Sequence, residues 1–223
     1  MVNLASRIEH TLLRPEATAE DIRRVCDEAM RYRFAGVCIN PLRVLLTARL
    51  LSGSGVRVVS VVGFPLGAST IAVKCREASD AIEHGANEVD MVISVGTLKD
   101  GDLRGVEEEI QAVKRAVGAH PLKCIVETCL LTEAEKTNAL ECVAGGGADY
   151  IKTSTGFSSG GANLEDIRLF HQLSKGRLLI KASGGIRNLS AALAMAEAGA
   201  DRLGTSSSVM IMEQLDNTSR QNS

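Results

Sequence analysis

The 223 residues hold no Cys-x-x-Cys pair, no G-x-G-x-x-G fingerprint and no Walker lysine motif. They also lack any apolar run near the ~20 residues of a membrane span. A nucleotide cofactor is therefore unsupported, and no membrane association is expected. The four histidines (His10, His84, His120, His171) are far apart, so neither a metal nor any other cofactor is expected. Charge of one sign is missing too: 25 Lys+Arg face 27 Asp+Glu, a net charge of -2. Nucleic-acid binding rests on a basic surface, so no nucleic-acid partner is expected. The first ten residues carry Arg7, Glu9 and His10 and no signal-peptide core. Six scattered cysteines, mostly in apolar company, read as reduced, cytoplasmic and mainly structural.

What is present is a rhythm. Short β-branched runs begin near Ile8, Ala35, Val56, Glu88, Leu122, Tyr150, Arg177 and Arg202, each followed by a helical pattern. Val106, Ile110, Val113 and Val117 share one helical face. Thr132 with Glu135 forms a capping box, and Asn163 and Asn188 are N-cap candidates. Residues 56–62, 122–126 and 178–180 are nearly all apolar, the mark of strands buried on both faces of a parallel sheet. Eight such units predict an α/β fold, a single-domain (β/α)8 TIM barrel over residues 1–215 with a polar tail at 216–223. A doubly wound open sheet is the competing arrangement.

Active sites of such barrels lie at the C-terminal ends of the strands. The polar residues placed there are Glu9, His10, Asn40, Asp90, Glu127, Lys152, Lys181 and the serines at 206–208. Lys152 and Lys181 hold matching positions on consecutive strands, each ahead of a small glycine-containing loop. Strands lie ~4.8 Å apart, so the two amines can approach and disfavour each other's charge. A neutral amine is what Schiff-base chemistry requires. Solvent-directed lysines would be the ordinary alternative, but a matched pair beside an inward Asp90 favours the reactive reading. Gly184, Gly185 and Arg187 follow the seventh strand, and Gly204, Ser206 and Ser207 the eighth. Loops there often cradle a phosphate, although turn and cap chemistry explains glycine and serine equally well. The pattern Gly156-Phe-Ser158-Ser-Gly160 fits a hydrolase elbow only formally, because no histidine partner is evident. Cys38 lies near a strand end and reads as a packing cysteine.

Seven segments together resemble the class I deoxyribose-phosphate aldolases. They are Ile8-Glu-His-Thr-Leu-Leu13, Val37-Cys-Ile-Asn-Pro41, Val61-Val-Gly-Phe-Pro-Leu-Gly67, Glu88-Val-Asp-Met-Val92, Ile151-Lys-Thr-Ser-Thr-Gly156, Lys181-Ala-Ser-Gly-Gly-Ile-Arg187 and Gly204-Thr-Ser-Ser207. The resemblance covers almost the whole chain. It implies a metal-free, cofactor-free barrel that reversibly cleaves 2-deoxyribose 5-phosphate to acetaldehyde and glyceraldehyde 3-phosphate, and that forms a dimer or larger homo-oligomer. By the same resemblance Lys152 is the Schiff-base lysine, Lys181 keeps it neutral, and Asp90 joins Lys181 in proton transfer. Gly184, Gly185, Gly204, Ser206 and Ser207 are implied phosphate-side residues, with Thr155 and Gly156 lining the same pocket. Two departures stand out. Glu9 replaces the family's usual Asp, and the tail has no tyrosine, since Tyr32 and Tyr150 are the only two in the chain.

Overall fold

Val, Ile and Leu dominate the eight runs, and a pleated, two-sided buried setting is where β-branched chains pack best. A computed structural model describes residues 3–221, with side chains through 218. It places strands at β1 (Ile8–Leu12), β2 (Gly36–Ile39), β3 (Arg57–Val62), β4 (Glu88–Val92), β5 (Leu122–Ile125), β6 (Tyr150–Lys152), β7 (Leu179–Ser183) and β8 (Arg202–Thr205). All neighbours pair in parallel, and β8 returns to β1 through Glu9 opposite Gly204, so the sheet is a closed eight-stranded barrel. The open-sheet alternative is excluded by that closing pair.

The helices are α1 (Ala19–Tyr32), α2 (Val44–Leu50), α3 (Ile71–Glu83), α4 (Val95–Lys99), α5 (Leu103–Val117), α6 (Glu133–Gly145), α7 (Leu164–Ser174), α8 (Leu189–Glu197) and α9 (Ser208–Gln221). Val106, Ile110, Val113 and Val117 are all buried on α5, as their spacing requires. Thr132 and Glu135 form the capping box of α6, and Asn163 and Asn188 cap α7 and α8. Thr18 with Asp21 makes a second capping box, on α1.

Three features differ from the sequence reading. The seventh strand begins two residues later than Arg177, because that side chain is spent on the end of α7, with Nε donating to Ser174 O at 3.2 Å. The short α4 between β4 and α5 was not anticipated. The polar tail expected from Asp216 is in fact the second half of α9, which runs through Gln221. That helix is anchored where Gln214 Oε1 accepts the Leu189 N–H at 2.8 Å and Leu215 packs on the core, so backbone bonds carry the polar turns beyond. Residues 222 and 223 of the tail lie outside the described residues.

Candidate active site

Parallel register sets the site. Lys152 stands directly opposite Lys181, and Asp90 directly opposite Lys123. Lys152 Nζ donates to Asp90 Oδ2 at 2.8 Å, and Lys181 Nζ donates to the same oxygen at 2.6 Å. Lys123 Nζ takes the other oxygen, Oδ1, at 2.9 Å. Lys181 also donates to Glu9, whose extra methylene lets β1 reach across to β7. Below this layer Lys123 lies 2.5 Å from Glu88, and Arg202 lies 3.8 Å from both Glu88 and Glu9. Glu9, Asp90, Lys123 and Lys181 are fully buried, and Lys152 is 2 % exposed.

Burial opposes every one of these charges, so their survival depends on partners. Burial would raise the Asp90 carboxyl, but Lys123, Lys152 and Lys181 hold it well below the usual carboxylate range. Glu88, opposed in the same way by burial, is drawn down to about 2 by Lys123 and Arg57. Burial would lower Lys181, and Asp90 and Glu9 more than offset it, so its pKa is raised. Lys123 is raised for the same reason, through Asp90, Glu9 and Glu88. Inside the barrel four cationic side chains (Lys123, Lys152, Lys181, Arg202) thus meet three carboxylates (Glu9, Glu88, Asp90), while Arg57 reaches Glu88 from the half-exposed rim. The interior is neutral when one cation gives up its proton. Arg202 cannot do so, and Lys123 and Lys181 are held as ammonium ions by at least two carboxylates each. Lys152 has Asp90 alone.

Lys123 is the functional residue that sequence reading missed. It lies in a strand read as nearly all apolar. Its register opposite Asp90 was the available signal, since a buried carboxylate calls for a cation on the neighbouring strand. Replacing Lys123 with Met leaves three carboxylates short of a shared partner and should destabilise the fold by about 3–5 kcal/mol. The sign with pH follows from the depressed carboxyls of Glu88 and Asp90. Their contribution is present above the unfolded value, 4.5 for Glu88, and is lost as pH falls toward about 2. Lys123→Met should therefore move acid unfolding to higher pH as well as lower the urea midpoint. Unchanged midpoints would show that Lys123 is not what holds these carboxylates.

Above Lys152 opens a cavity of about 340 Å³. Thr155, Gly156, Gly184, Gly185, Gly204 and Ser206 all line it, together with Lys152. Asp90 and Lys181 do not line it; both are buried behind Lys152, which bonds Asp90. Ser207 does not line it. Its N–H donates to Thr205 Oγ1 at 3.0 Å and its carbonyl accepts from Ile211 N–H at 3.0 Å, so it serves the first turn of α9. Gly184 has φ +84°, a conformation L side chains rarely adopt, and this turn brings the backbone against the cavity. A Cβ on Gly204 would sit 3.2 Å from Lys181 Cε, so that position leaves room for the buried amine. The N-termini of α8 and α9 follow these two loops and favour an anion. A larger cavity, about 470 Å³, opens at the opposite mouth of the barrel near Arg57, Asn87 and His120, and no residue of the lysine layer lines it.

A matching family model covers residues 5–211 and describes the DeoC/LacD family aldolase. The chain belongs to this family. It is 54 % identical over 211 residues to a deoxyribose-phosphate aldolase of Brevibacillus brevis, covering 95 % of this chain and 96 % of the relative. It is 52 % identical to one from Clostridium perfringens, covering 94 % of each. Among solved structures it is similar to QR15, an aldolase, with a TM-score of 0.93 at 39 % identity and 97 % of each chain covered. It is also similar to the deoxyribose phosphate aldolase from Aeropyrum pernix, described as tetrameric, with a TM-score of 0.89 at 34 % identity, covering 96 % of this chain and 92 % of that one.

Within this family member, other polar residues at the strand ends have duties of their own. His10 bridges Ser208 Oγ at 3.0 Å and Glu28 at 2.7 Å, and burial lowers its pKa, so it ties β1 to α1 and α9. Asn40 donates to Leu13 O at 3.0 Å. Cys38 is buried, and burial pushes its thiol up to about 11. Its sulfur lies with Glu9 and Asp90 oxygens inside 4.8 Å, a donor group that a metal could use. Both carboxylates already accept from lysines there, so a metal ion would have to displace ammonium groups. All six cysteines are free, and Cys129 is exposed rather than buried. Among the described residues no helix is long and apolar enough to cross a membrane. The hydroxyl of Ser158 meets the Cys129 thiol at 3.4 Å, not a histidine.

Proposed function

We propose that the chain reversibly cleaves 2-deoxy-D-ribose 5-phosphate to acetaldehyde and D-glyceraldehyde 3-phosphate through a Schiff base on Lys152. The observation that carries this reading is the surplus cation of the barrel interior. Lys152 is the one amine of the layer that both lines the cavity and has a single carboxylate partner. It is the amine best placed to meet a substrate carbonyl and act as a nucleophile.

Neutral Lys152 attacks the C1 aldehyde of the open-chain sugar, and the carbinolamine loses water to give an iminium. The iminium withdraws electrons from C2. Asp90, with the Lys181 ammonium bonded to it, takes the C3 hydroxyl proton through a water, the C2–C3 bond breaks, and glyceraldehyde 3-phosphate leaves. The electron pair of that bond forms the enamine. Protonation at C2 and hydrolysis then return acetaldehyde and the free amine. Gly184, Gly185, Gly204 and Ser206, with Thr155 and Gly156, hold the phosphate end, and binding there positions the reacting carbons. Ser207 contributes by shaping the first turn of α9. The chain acts as a cytoplasmic homo-oligomer in this reading, supported by its six free thiols and by exposed Leu42 and Leu66, at 84 % and 78 %. Light scattering of the purified protein tests the assembly.

Cleavage of deoxyribose phosphate by the purified protein tests the activity, and Ser206→Asp tests where the phosphate sits. An added carboxylate about 4 Å from the phosphate costs about 1–4 kcal/mol across the effective dielectrics of a protein surface. The variant should raise KM for deoxyribose phosphate at least about fivefold while leaving unphosphorylated deoxyribose close to wild type. Equal losses for both sugars would move the phosphate site elsewhere.

A further inference from the structure

Glu127 follows β5 and has a left-handed backbone, φ 54° and ψ 65°. A non-glycine residue stays in that region only where its surroundings hold it, and such positions gather at functional sites. Its carboxylate is buried, with 4 % of the residue exposed. No lysine, arginine or histidine among the described residues pairs with it. Its partners are the Thr155 hydroxyl, the Thr155 N–H at 3.3 Å from each oxygen, and the Cys129 thiol at 3.8 Å. A buried carboxylate needs compensation, and here both donors of one residue supply most of it.

That residue is well placed. Thr155 Oγ1 also accepts the Phe157 N–H at 3.1 Å, so one carboxylate fixes the whole turn of residues 155–157. The turn follows Lys152 by three residues. Gly156 within it has φ +85° and faces Gly184, with an ideal Cβ 3.9 Å from the Gly184 Cα. Thr155 and Phe157 line both the 340 Å³ cavity and an apolar neighbour of about 140 Å³ walled by Leu66, Val95 and Leu130. Phe157 meets Phe64 edge-on, with ring centroids 5.3 Å apart. The turn is the partition between the two cavities.

We propose that Glu127 is a positioning residue: it holds the turn of residues 155–157 against the Gly184 loop and so sets affinity for the phosphorylated end of the sugar. Glu127 touches none of the reacting carbons. This deepens the proposed function and rests on it for the identity of the sugar, whereas the phosphate contact can be read without the reaction.

Two variants separate the carboxylate from the backbone. Glu127→Gly removes the carboxylate and is at ease at positive φ. Glu127→Gln keeps an acceptor for Thr155. Glu127→Gly should raise KM for deoxyribose phosphate about tenfold or more, the scale expected when hydrogen bonds to a charged group are lost. It should weaken inorganic phosphate, titrated calorimetrically, by a similar factor. Borohydride trapping of acetaldehyde on Lys152, which needs no phosphate, should keep the wild-type rate. Glu127→Gln should restore most of the affinity. Wild-type KM and phosphate affinity in the glycine variant would overturn the proposal. So would an equal loss of acetaldehyde trapping, which signals general damage to the barrel. If the wild type bound phosphate but cleaved no deoxyribose phosphate, the proposed reaction would fall, and the titration would still decide the role of Glu127.

Discussion

Borohydride added with acetaldehyde should ethylate Lys152 and no other lysine of the barrel interior, and Lys152→Leu should lose at least four decades of turnover, about 5.5 kcal/mol of barrier. Lys152, Lys123 and Lys181 all bond Asp90, so proximity to a carboxylate does not single one out. Access and charge do. Lys123 and Lys181 are fully buried and do not line the cavity, and each is kept protonated by more than one carboxylate. Lys152 reaches the cavity and can be neutral without leaving an anion unpaired, because Asp90 retains two other donors. Leucine at this position keeps the stem's packing and removes only the amine, so the variant should fold. A tryptic map with the ethyl group on Lys181 would overturn the assignment.

Lys181→Leu should cost about two to four decades in kcat, the usual worth of a positioned acid–base group, and should shift the acid limb of the residual activity to higher pH. The direction follows from the charge count. With Lys181 present, three carboxylates face four cations, and neutrality favours loss of one proton. Without it, Lys123, Arg202 and Lys152 are all needed inside the barrel to balance Glu9, Glu88 and Asp90, so a proton lost from Lys152 would leave a buried anion uncompensated. Raising the pH is then required to free the nucleophile. Glu9 would also be left with Lys123 at 3.5 Å and Arg202 at 3.8 Å as its nearest cations, which adds to the same pull. A pH profile with its acid limb unmoved would show that Lys181 does not govern the charge on Lys152.

The barrel was legible because its strands and helices announce themselves locally. Residues 122–126 read as a buried strand, and β5 is there. Thr132 and Glu135 read as a capping box, and both halves of it form. Asp90, Lys152 and Lys181 were legible because polar residues at the ends of apolar strands are few. Lys123 escaped because one charge inside an apolar strand has no local signature. Its meaning appears only when β5 is aligned with β4 and Asp90 comes opposite. The Glu127 contacts with Thr155 were hidden for a similar reason, since 28 residues separate the two in the chain. Helix α9 was misjudged past Asp216 because its outer turns are polar, and only the side facing Leu189 shows why the segment stays helical.

Barrel closure has a consequence for synthesis of the chain. Gly204, which pairs with Glu9, is made 195 residues after it. At about 5–20 residues per second, the first strand waits roughly 10–40 s on the ribosome before its second neighbour exists. Until β8 pairs with β1 the wall around Glu9 and the lysines of β5, β6 and β7 is open. The charged interior is complete only once β8 docks, since that strand brings Arg202 to Glu9 and Glu88. A fragment ending before β8 would expose the edges of β1 and β7 and would lack Arg202, Gly204 and Ser206.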